Sequence, residues 1–259
     1  MPPPVGPSLQ LMLIMADIAG EVTVLTAKAV WKRWFSSQRF CRKLAQFESQ
    51  GWVERGPVRE GSLDRAVRLT EAGREIALGG RDPEASWGRK WDGRWRLVLF
   101  DIPENQRTVR TRLSRGLRQL GFGYLQNSVW VSPDPPVKIS GMFRGLKLDV
   151  ESLSVMEARP CGGESDADLV NGAWDFPRIN RDYEVYLEVL EGRPVRNSGR
   201  SWKTWIEVEW KAWNRALGGD PLLPVALLPA GYRGREAWKR RMAFLRRTFG
   251  QGLEDLRGD

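Results

Sequence analysis

The chain has 259 residues, with 41 Lys and Arg against 32 Asp and Glu, a formal net charge of +9 and no histidine. The lack of histidine excludes Ser-His-Asp and Cys-His catalysis and histidine-based metal sites. No GxxxxGK(S/T) phosphate loop occurs, and no GxGxxG follows a predicted strand, so the usual signatures of nucleotide hydrolysis and dinucleotide redox chemistry are missing. We therefore expect a binding protein rather than an enzyme, with no cofactor and no metal.

The basic surplus favours nucleic acid or another polyanion as the partner, although basic charge that serves only solubility would look the same. No stretch reaches the roughly 18 uncharged apolar residues of a membrane span. The opening Met1-Pro-Pro-Pro lacks the basic region and apolar run of a signal peptide, and two cysteines do not make a disulfide framework. These features predict a cytoplasmic protein with no membrane partner.

The first 80 residues predict a winged helix-turn-helix. In its third helix, Phe40, Leu44 and Phe47 recur at i, i+4 and i+7 and form one apolar face, and Ser36 or Ser37 can cap the helix start. Gly51 is placed to end this helix, and Thr70 to begin the last one. The predicted elements are helices over Leu9–Ala19, Thr26–Phe35 and from Ser36, strands over Trp52–Arg55 and Ala66–Leu69, and a helix over Glu71–Leu78.

Charge within this block predicts a surface that contacts DNA. Between Glu21 and Glu48 there is no acid but there are six Lys and Arg residues, and a recognition helix needs cations for phosphates together with Arg, Lys or Gln for base edges. A solvated basic helix in a protein-binding winged helix remains the alternative. The predicted phosphate contacts are Lys32, Arg33, Arg59 and Arg65, the predicted base contacts are Ser37, Gln38, Arg39 and Arg42, and Lys43 belongs to the same surface.

Residues 87–160 predict a ferredoxin-like domain in β-α-β-α-β order, with one strand unassigned. Its first helix carries Val109, Leu113, Leu117 and Leu120 on one apolar face, while its five arginines can bind nucleic acid, pair with acids or face solvent. The predicted elements are a strand from Arg94 to Pro103, a helix over Asn105–Leu120, a strand region over Phe122–Val131, a helical stretch over Pro136–Leu146 and a strand over Val150–Met156.

Residues 161–259 predict a helical domain, so the fold class as a whole is α+β. The tryptophans of the stretch from Trp202 to Leu217 cannot share one stripe, which predicts a helix packed on two sides. In the last helix, from Arg235 to Phe249, Trp238, Met242 and Leu245 are expected to point inward and Arg240, Arg241, Arg246 and Arg247 largely outward. Aromatic and arginine side chains here suit either an effector pocket or a packing core with a charged rim.

Several of these segments resemble the PaaX family, the family of the phenylacetic-acid degradation repressor. The resemblance lies in Trp95-Arg-Leu-Val-Leu-Phe-Asp-Ile-Pro-Glu104, Arg110-Thr-Arg-Leu113, Leu120-Gly-Phe-Gly-Tyr-Leu-Gln-Asn-Ser-Val-Trp-Val-Ser-Pro133, Ala173-Trp-Asp-Phe176 with Tyr183, and Asp220-Pro-Leu-Leu-Pro224 with Leu227-Leu-Pro229. It implies a winged helix, a central domain similar to the small CRISPR adaptation endoribonuclease-like protein, and a helical C-terminal domain.

The function implied by the resemblance is that of a homodimeric repressor, bound to a double-stranded operator and released by an aryl-CoA thioester, with Trp174 and Asp175 as candidate effector-binding residues. A metal-dependent nuclease is the second hypothesis, because Asp101 is placed like a proposed metal ligand of the CRISPR adaptation family. One carboxylate per chain is thin support for Mg²⁺, and Asp101 can equally cap the next helix. A non-enzymatic adaptor that binds protein through the winged helix is the third.

Overall fold

The computed structural model describes residues 22–23, 37–58, 65–78, 81–103, 107–135, 152–194 and 199–254. It is a mixed α and β structure, as predicted. The strands are β1 (Val22–Thr23), β2 (Val53–Val58), β3 (Arg65–Leu69), β4 (Trp95–Asp101), β5 (Gly123–Gln126), β6 (Val129–Ser132) and β7 (Ser152–Ala158). The helices are α1 (Ser37–Ser49), α2 (Glu71–Ala77), α3 (Pro83–Gly88), α4 (Arg107–Gln119), α5 (Asp166–Ala173), α6 (Phe176–Glu191), α7 (Gly199–Gly219) and α8 (Gly234–Glu254).

The chain divides into two compact units that do not follow the order of the sequence. One contains Met1–Pro83, Val185–Asn214 and Arg235–Asp259, and the other contains Glu84–Glu184 and Arg215–Gly234. No helix in the described part of the chain is long and apolar enough to cross a membrane. The predicted helices over Leu9–Ala19, Thr26–Phe35 and Pro136–Leu146 fall outside the described residues.

A small antiparallel sheet in the first unit has the strand order β1-β3-β2. Sequence reasoning predicted β2 and β3 but not β1, which is only two residues long and therefore has no recognisable alternation. Gly51, at φ +70°, ends α1 in the left-handed conformation expected of a helix C-terminus. Thr70 caps α2 by accepting from the Gly73 amide, which confirms that prediction.

The second unit contains a four-stranded antiparallel sheet in the order β5-β6-β4-β7. Its core forms between α4 and one face of this sheet, where Val98 and Phe100 of β4 meet Leu113 and Leu117 of α4 and Trp130 of β6. This confirms the apolar face predicted for α4. Burying Val98, Phe100, Leu113 and Leu117, which the unfolded chain exposes, stabilises the pair of layers by roughly 1.5–3 kcal/mol per side chain before entropy is counted.

Two segments of the structure differ from the prediction. The single strand region over Phe122–Val131 is a hairpin of β5 and β6, because Asn127 adopts a left-handed φ of 44° and reverses the chain. No element was predicted between residues 79 and 93, where the structure has the short helix α3. It starts at Pro83, a residue favoured in the first turn because its missing N–H needs no partner there.

Arg241 corrects another expectation, since it is buried in α8 rather than outward. Its Nε donates to Oε1 of Glu209 in α7 at 2.9 Å, and its guanidinium lies 4.8 Å from the centre of the Trp213 ring. Glu209 also accepts from the hydroxyl of Tyr186 at 3.0 Å. A buried arginine is tolerated here because an acid from a distant helix neutralises it.

Candidate nucleic-acid interface

Helix α1 is held by its apolar face. Phe40, Leu44 and Phe47 are all buried, and the ring of Phe47 lies 6.0 Å from that of Trp52, which follows the helix. Because these three residues occupy one stripe, the residues between them are turned away from the core. The predicted apolar face of α1 is therefore confirmed, and the structure leaves its opposite side exposed.

Arg42 lies opposite the apolar face and Lys43 lies beside it, and both are exposed. Lys43 donates to the side-chain oxygen of Gln46 at 3.0 Å, a neutral partner that leaves its charge uncompensated. Ser37, Gln38 and Arg39 are the first three residues of α1, and Arg65 is the first residue of β3. Lys32, Arg33 and Arg59 lie outside the described residues. The structure thus brings Ser37, Gln38, Arg39, Arg42 and Lys43 onto a single helix, and their role in DNA binding stays a prediction.

The hairpin of β2 and β3 is fastened directly to the end of α1. Glu48, near the C-terminus of α1, forms an ion pair with Arg55 of β2. The hydroxyl of Thr70 donates to the carbonyl of Gly51 at 2.7 Å, so the helix end and the start of α2 are joined. Gly73 has no room for a side chain, because a Cβ there would meet the Trp52 carbonyl. The helix and the hairpin are therefore fixed relative to each other.

A second basic surface lies on α4 of the other unit. The described residues Arg107, Arg112 and Arg115, with Thr108, Thr111 and Gln119, line an open groove along this helix. Sequence reasoning noted these arginines but could not separate binding from solvation, because the sequence does not show which acids lie nearby. No acid occurs in the 13 residues of α4.

Trp174 and Asp175, the predicted effector residues, each have a structural partner. The indole of Trp174 donates to the carbonyl of Gly121 at 3.2 Å and stacks near Trp95, and it fills the space that a Cβ at Gly123 would need. Asp175 accepts from the amide of Arg178 at 3.0 Å, which caps the first turn of α6. An effector-binding role for the two residues stays a prediction.

The later motif residues meet in a buried polar network that sequence reasoning did not assemble. Asp220 accepts from the hydroxyls of Tyr183, at 2.6 Å, and Tyr232, and from the amide of Leu222 at 2.8 Å. Burial, together with the neighbouring Asp220 carboxylate, raises the pKa of Tyr183 and Tyr232 well above the ordinary value of 10. The hydroxyls therefore stay protonated and act as donors, which gives this network a structural role.

Asp101, the candidate metal ligand, is the exposed last residue of β4. Within the described ranges, no group of three or more Asp, Glu or Cys side chains is arranged to hold a metal ion. A lone carboxylate without partner ligands is a poor site for Mg²⁺, which binds through carboxylates together with substrate phosphates. A role for Asp101 as a metal ligand therefore stays a prediction.

Comparison with known proteins supports the resemblance found in the sequence. Residues 88–170 match the family described as "PaaX protein central Cas2-like domain". No curated protein matches the chain. Among solved structures, the uncharacterized protein Rv0674 from Mycobacterium tuberculosis is 20% identical over 95% of each chain, with a TM-score of 0.60. At this identity the likeness shows a shared fold and carries no function.

Proposed function

We propose that the chain is a sequence-specific, DNA-binding transcriptional regulator that acts as a repressor, because residues 88–170 match the family model of the PaaX protein central Cas2-like domain. In this proposal, residues 1–80 form a winged helix-turn-helix, residues 87–160 a ferredoxin-like domain and residues 161–259 a helical domain. The strand order β5-β6-β4-β7, with α4 between β4 and β5, is the order of a ferredoxin-like sheet. The protein works by binding rather than by catalysis.

The observation that carries the proposal is the exposed basic side of α1. This helix is fastened to a two-stranded hairpin and buries one stripe, so Arg42 and Lys43 project from a rigid support. Arginine and lysine side chains on a helix of this kind reach base edges in the major groove and phosphates beside it. The hairpin would then flank the groove as a wing, with Arg59 and Arg65 near the DNA backbone.

The DNA-binding proposal is tested with a fluorescent duplex from the region upstream of the protein's own gene and a random duplex of equal length. Wild-type protein is expected to prefer the upstream duplex and to bind both less tightly as salt rises, because phosphate contacts release counterions. The Arg39→Ala, Arg42→Ala double variant should lose the preference, at about 1–3 kcal/mol per lost base contact. Equal preference in the wild type and the variant would contradict the assignment of α1.

The proposal includes a homodimer, because two copies on a near-palindromic site raise affinity and specificity together. Light scattering after size-exclusion chromatography should give about twice the 29.5 kDa mass of one chain. A monomer at binding concentrations, or a stoichiometry of one chain per duplex, would contradict this part of the proposal.

Release by an aryl-CoA thioester completes the proposal, with Trp174 and Asp175 as the residues to examine. Phenylacetyl-CoA is expected to lower the affinity for the upstream duplex, and CoA alone serves as the control. The Asp175→Asn variant separates the two roles of this residue, because the amide oxygen still caps α6 while the charge is lost. Unchanged affinity with the thioester would remove the effector from the proposal.

A further inference from the structure

Helix α4 has an unusual charge composition for a surface helix. Its 13 residues contain five arginines and no acid, so the ion pairs between residues three or four positions apart that usually balance surface charge are missing. Leu113 and Leu117 are fully buried against β4 and β6, which fixes the rotation of the helix. The outer side of the helix, which carries arginines, is therefore turned away from the sheet.

Two of the five arginines already have partners within the domain. Arg110 donates to the carbonyl of Ile102 at 2.6 Å, and Arg118 lies over the ring of Trp130 at 5.3 Å. The other three, Arg107, Arg112 and Arg115, are exposed, and none of them has an ion pair or hydrogen bond with the described residues. All five arginines keep their charge, and these three have no described partner that holds the side chain in place.

The same three arginines line the groove along α4, together with Thr108, Thr111 and Gln119. The described lining offers hydroxyl and amide groups besides the guanidinium groups, and it contains no carboxylate. Arg107 and Arg115 are eight residues apart, which is about 12 Å along a helix axis. Each strand of a duplex carries one phosphate per roughly 3.4 Å of helix axis, so arginines at this separation can contact different phosphates.

We propose that this surface, the α4 groove, binds the backbone phosphates of a DNA duplex without reading its sequence. The inference rests on the proposed DNA-binding function and adds a second contact region outside α1. Arginine recognises phosphate through paired N–H donors, and phosphate contacts supply affinity without sequence preference. The described lining has no aromatic side chain on which an unpaired base could stack, so a duplex suits it better than a single strand.

The test compares the double variant Arg112→Gln, Arg115→Gln with a matched pair, Arg178→Gln, Arg181→Gln, in full-length protein. Both pairs are exposed arginines three residues apart in helices, and each double variant loses two charges. Fluorescence anisotropy is measured with the upstream and random duplexes from about 50 to 200 mM KCl, the range over which phosphate contacts change affinity strongly. Thermal melting confirms that the variants are folded.

For the α4 variant, the slope of log affinity against log salt should become less steep by about 1.8, because each lost phosphate contact contributes about 0.9. Affinity should fall on the order of tenfold on both duplexes alike, so that the preference for the upstream duplex is kept. The Arg178, Arg181 control should match the wild type. Arg112→Lys with Arg115→Lys should keep most of the slope, because lysine preserves the charge.

The outcomes separate this inference from the proposed function. If the wild type prefers the upstream duplex and the α4 variant has the same affinity and slope, the α4 groove is not a phosphate site, while the regulator proposal stands. If the wild type binds neither duplex, both are overturned. A loss confined to the upstream duplex would show sequence reading by α4 and would contradict the inference, as would a loss seen only with a single-stranded oligonucleotide.

Discussion

Helices α4 and α8 are both rich in arginine, yet their central arginines have opposite surroundings. In α8, Arg241 is buried against Glu209, and Arg240 pairs with Glu236 and Glu191 at the surface. In α4, Arg112 and Arg115 are exposed and meet no acid among the described residues. The comparison teaches that a count of arginines does not locate a binding surface. What distinguishes the two helices is whether acids from other segments have already neutralised the charge.

The comparison is tested most strongly at Arg241. Replacing Arg241 by Met should lower the free energy of unfolding by about 3–5 kcal/mol, because the Glu209 carboxylate is then buried without a cation. Urea unfolding followed by tryptophan fluorescence measures this loss. Adding Glu209→Gln to the variant should recover much of it, since no buried charge remains and the amide oxygen can still accept from the Tyr186 hydroxyl. A loss below about 1 kcal/mol for the single variant would show that this pair does not hold the helix.

Arg96 in β4 extends the comparison to a third neutralised arginine and adds a pH dependence. It is 3% exposed and contacts Asp92 and Glu157. A hydrogen bond from Arg96 lowers the pKa of Asp92 below its ordinary 3.8, and one from Arg94 lowers the pKa of Glu157 below its ordinary 4.5. The stabilisation that the two ionised carboxylates contribute is therefore fully present above their ordinary pKa values. It is lost as the pH falls through their lowered pKa values in the folded protein.

Replacing Arg96 by Met should accordingly cost about 1–3 kcal/mol at neutral pH. The difference from the wild type should shrink as the pH falls below 4.5 and then through the lowered folded-state pKa values, because both carboxylates become protonated there. Urea unfolding at a series of pH values measures this trend. A difference that stays constant or grows at low pH would show that Arg96 acts through packing rather than through its two acids.

A smaller effect is expected at Arg240, whose partners are exposed. The Arg240→Gln variant should have a free energy of unfolding no more than about 1 kcal/mol lower than the wild type, because exposed charges are already well solvated and gain little from pairing. Added salt should reduce even this loss by screening the charges. If Arg240→Gln destabilised the protein as much as Arg241→Met does, burial would not be what separates the two neighbouring residues.

The smallest effect on stability is expected for the α4 groove. The free energy of unfolding of the Arg112→Gln, Arg115→Gln variant should lie within about 0.5 kcal/mol of the wild-type value, because neither side chain has a described partner to lose. Unfolding in urea checks this value, and the same preparation serves for the DNA measurements. A clear destabilisation would mean that these arginines stabilise the fold, so that α4 would resemble α8 in the role of its arginines.

Much of the framework followed from local patterns. The stripes Phe40-Leu44-Phe47 and Leu113-Leu117 were predicted correctly because apolar residues three or four positions apart lie on the same side of a helix. The hairpin of β5 and β6 was missed because each of its strands has only four residues and the region was treated as one strand, although Asn127 and Ser128 are residue types that favour turns. Of the predicted DNA-contact residues, Arg42 and Lys43 could be placed on an exposed helix side from the same spacing, whereas no local pattern assigned partners to the arginines of α4.

The sequence by itself determined the elements, their buried faces and the net charge of +9, because periodicity, caps and composition are local properties. Only the tertiary structure decided which arginines form ion pairs with acids from other segments. Arg241 was expected to point outward, but it is buried, and its charge is neutralised by Glu209, which lies 32 residues away in the chain. Ion pairs between distant segments form in three dimensions, so the choice between a neutralised arginine and one free to bind phosphate is made by packing.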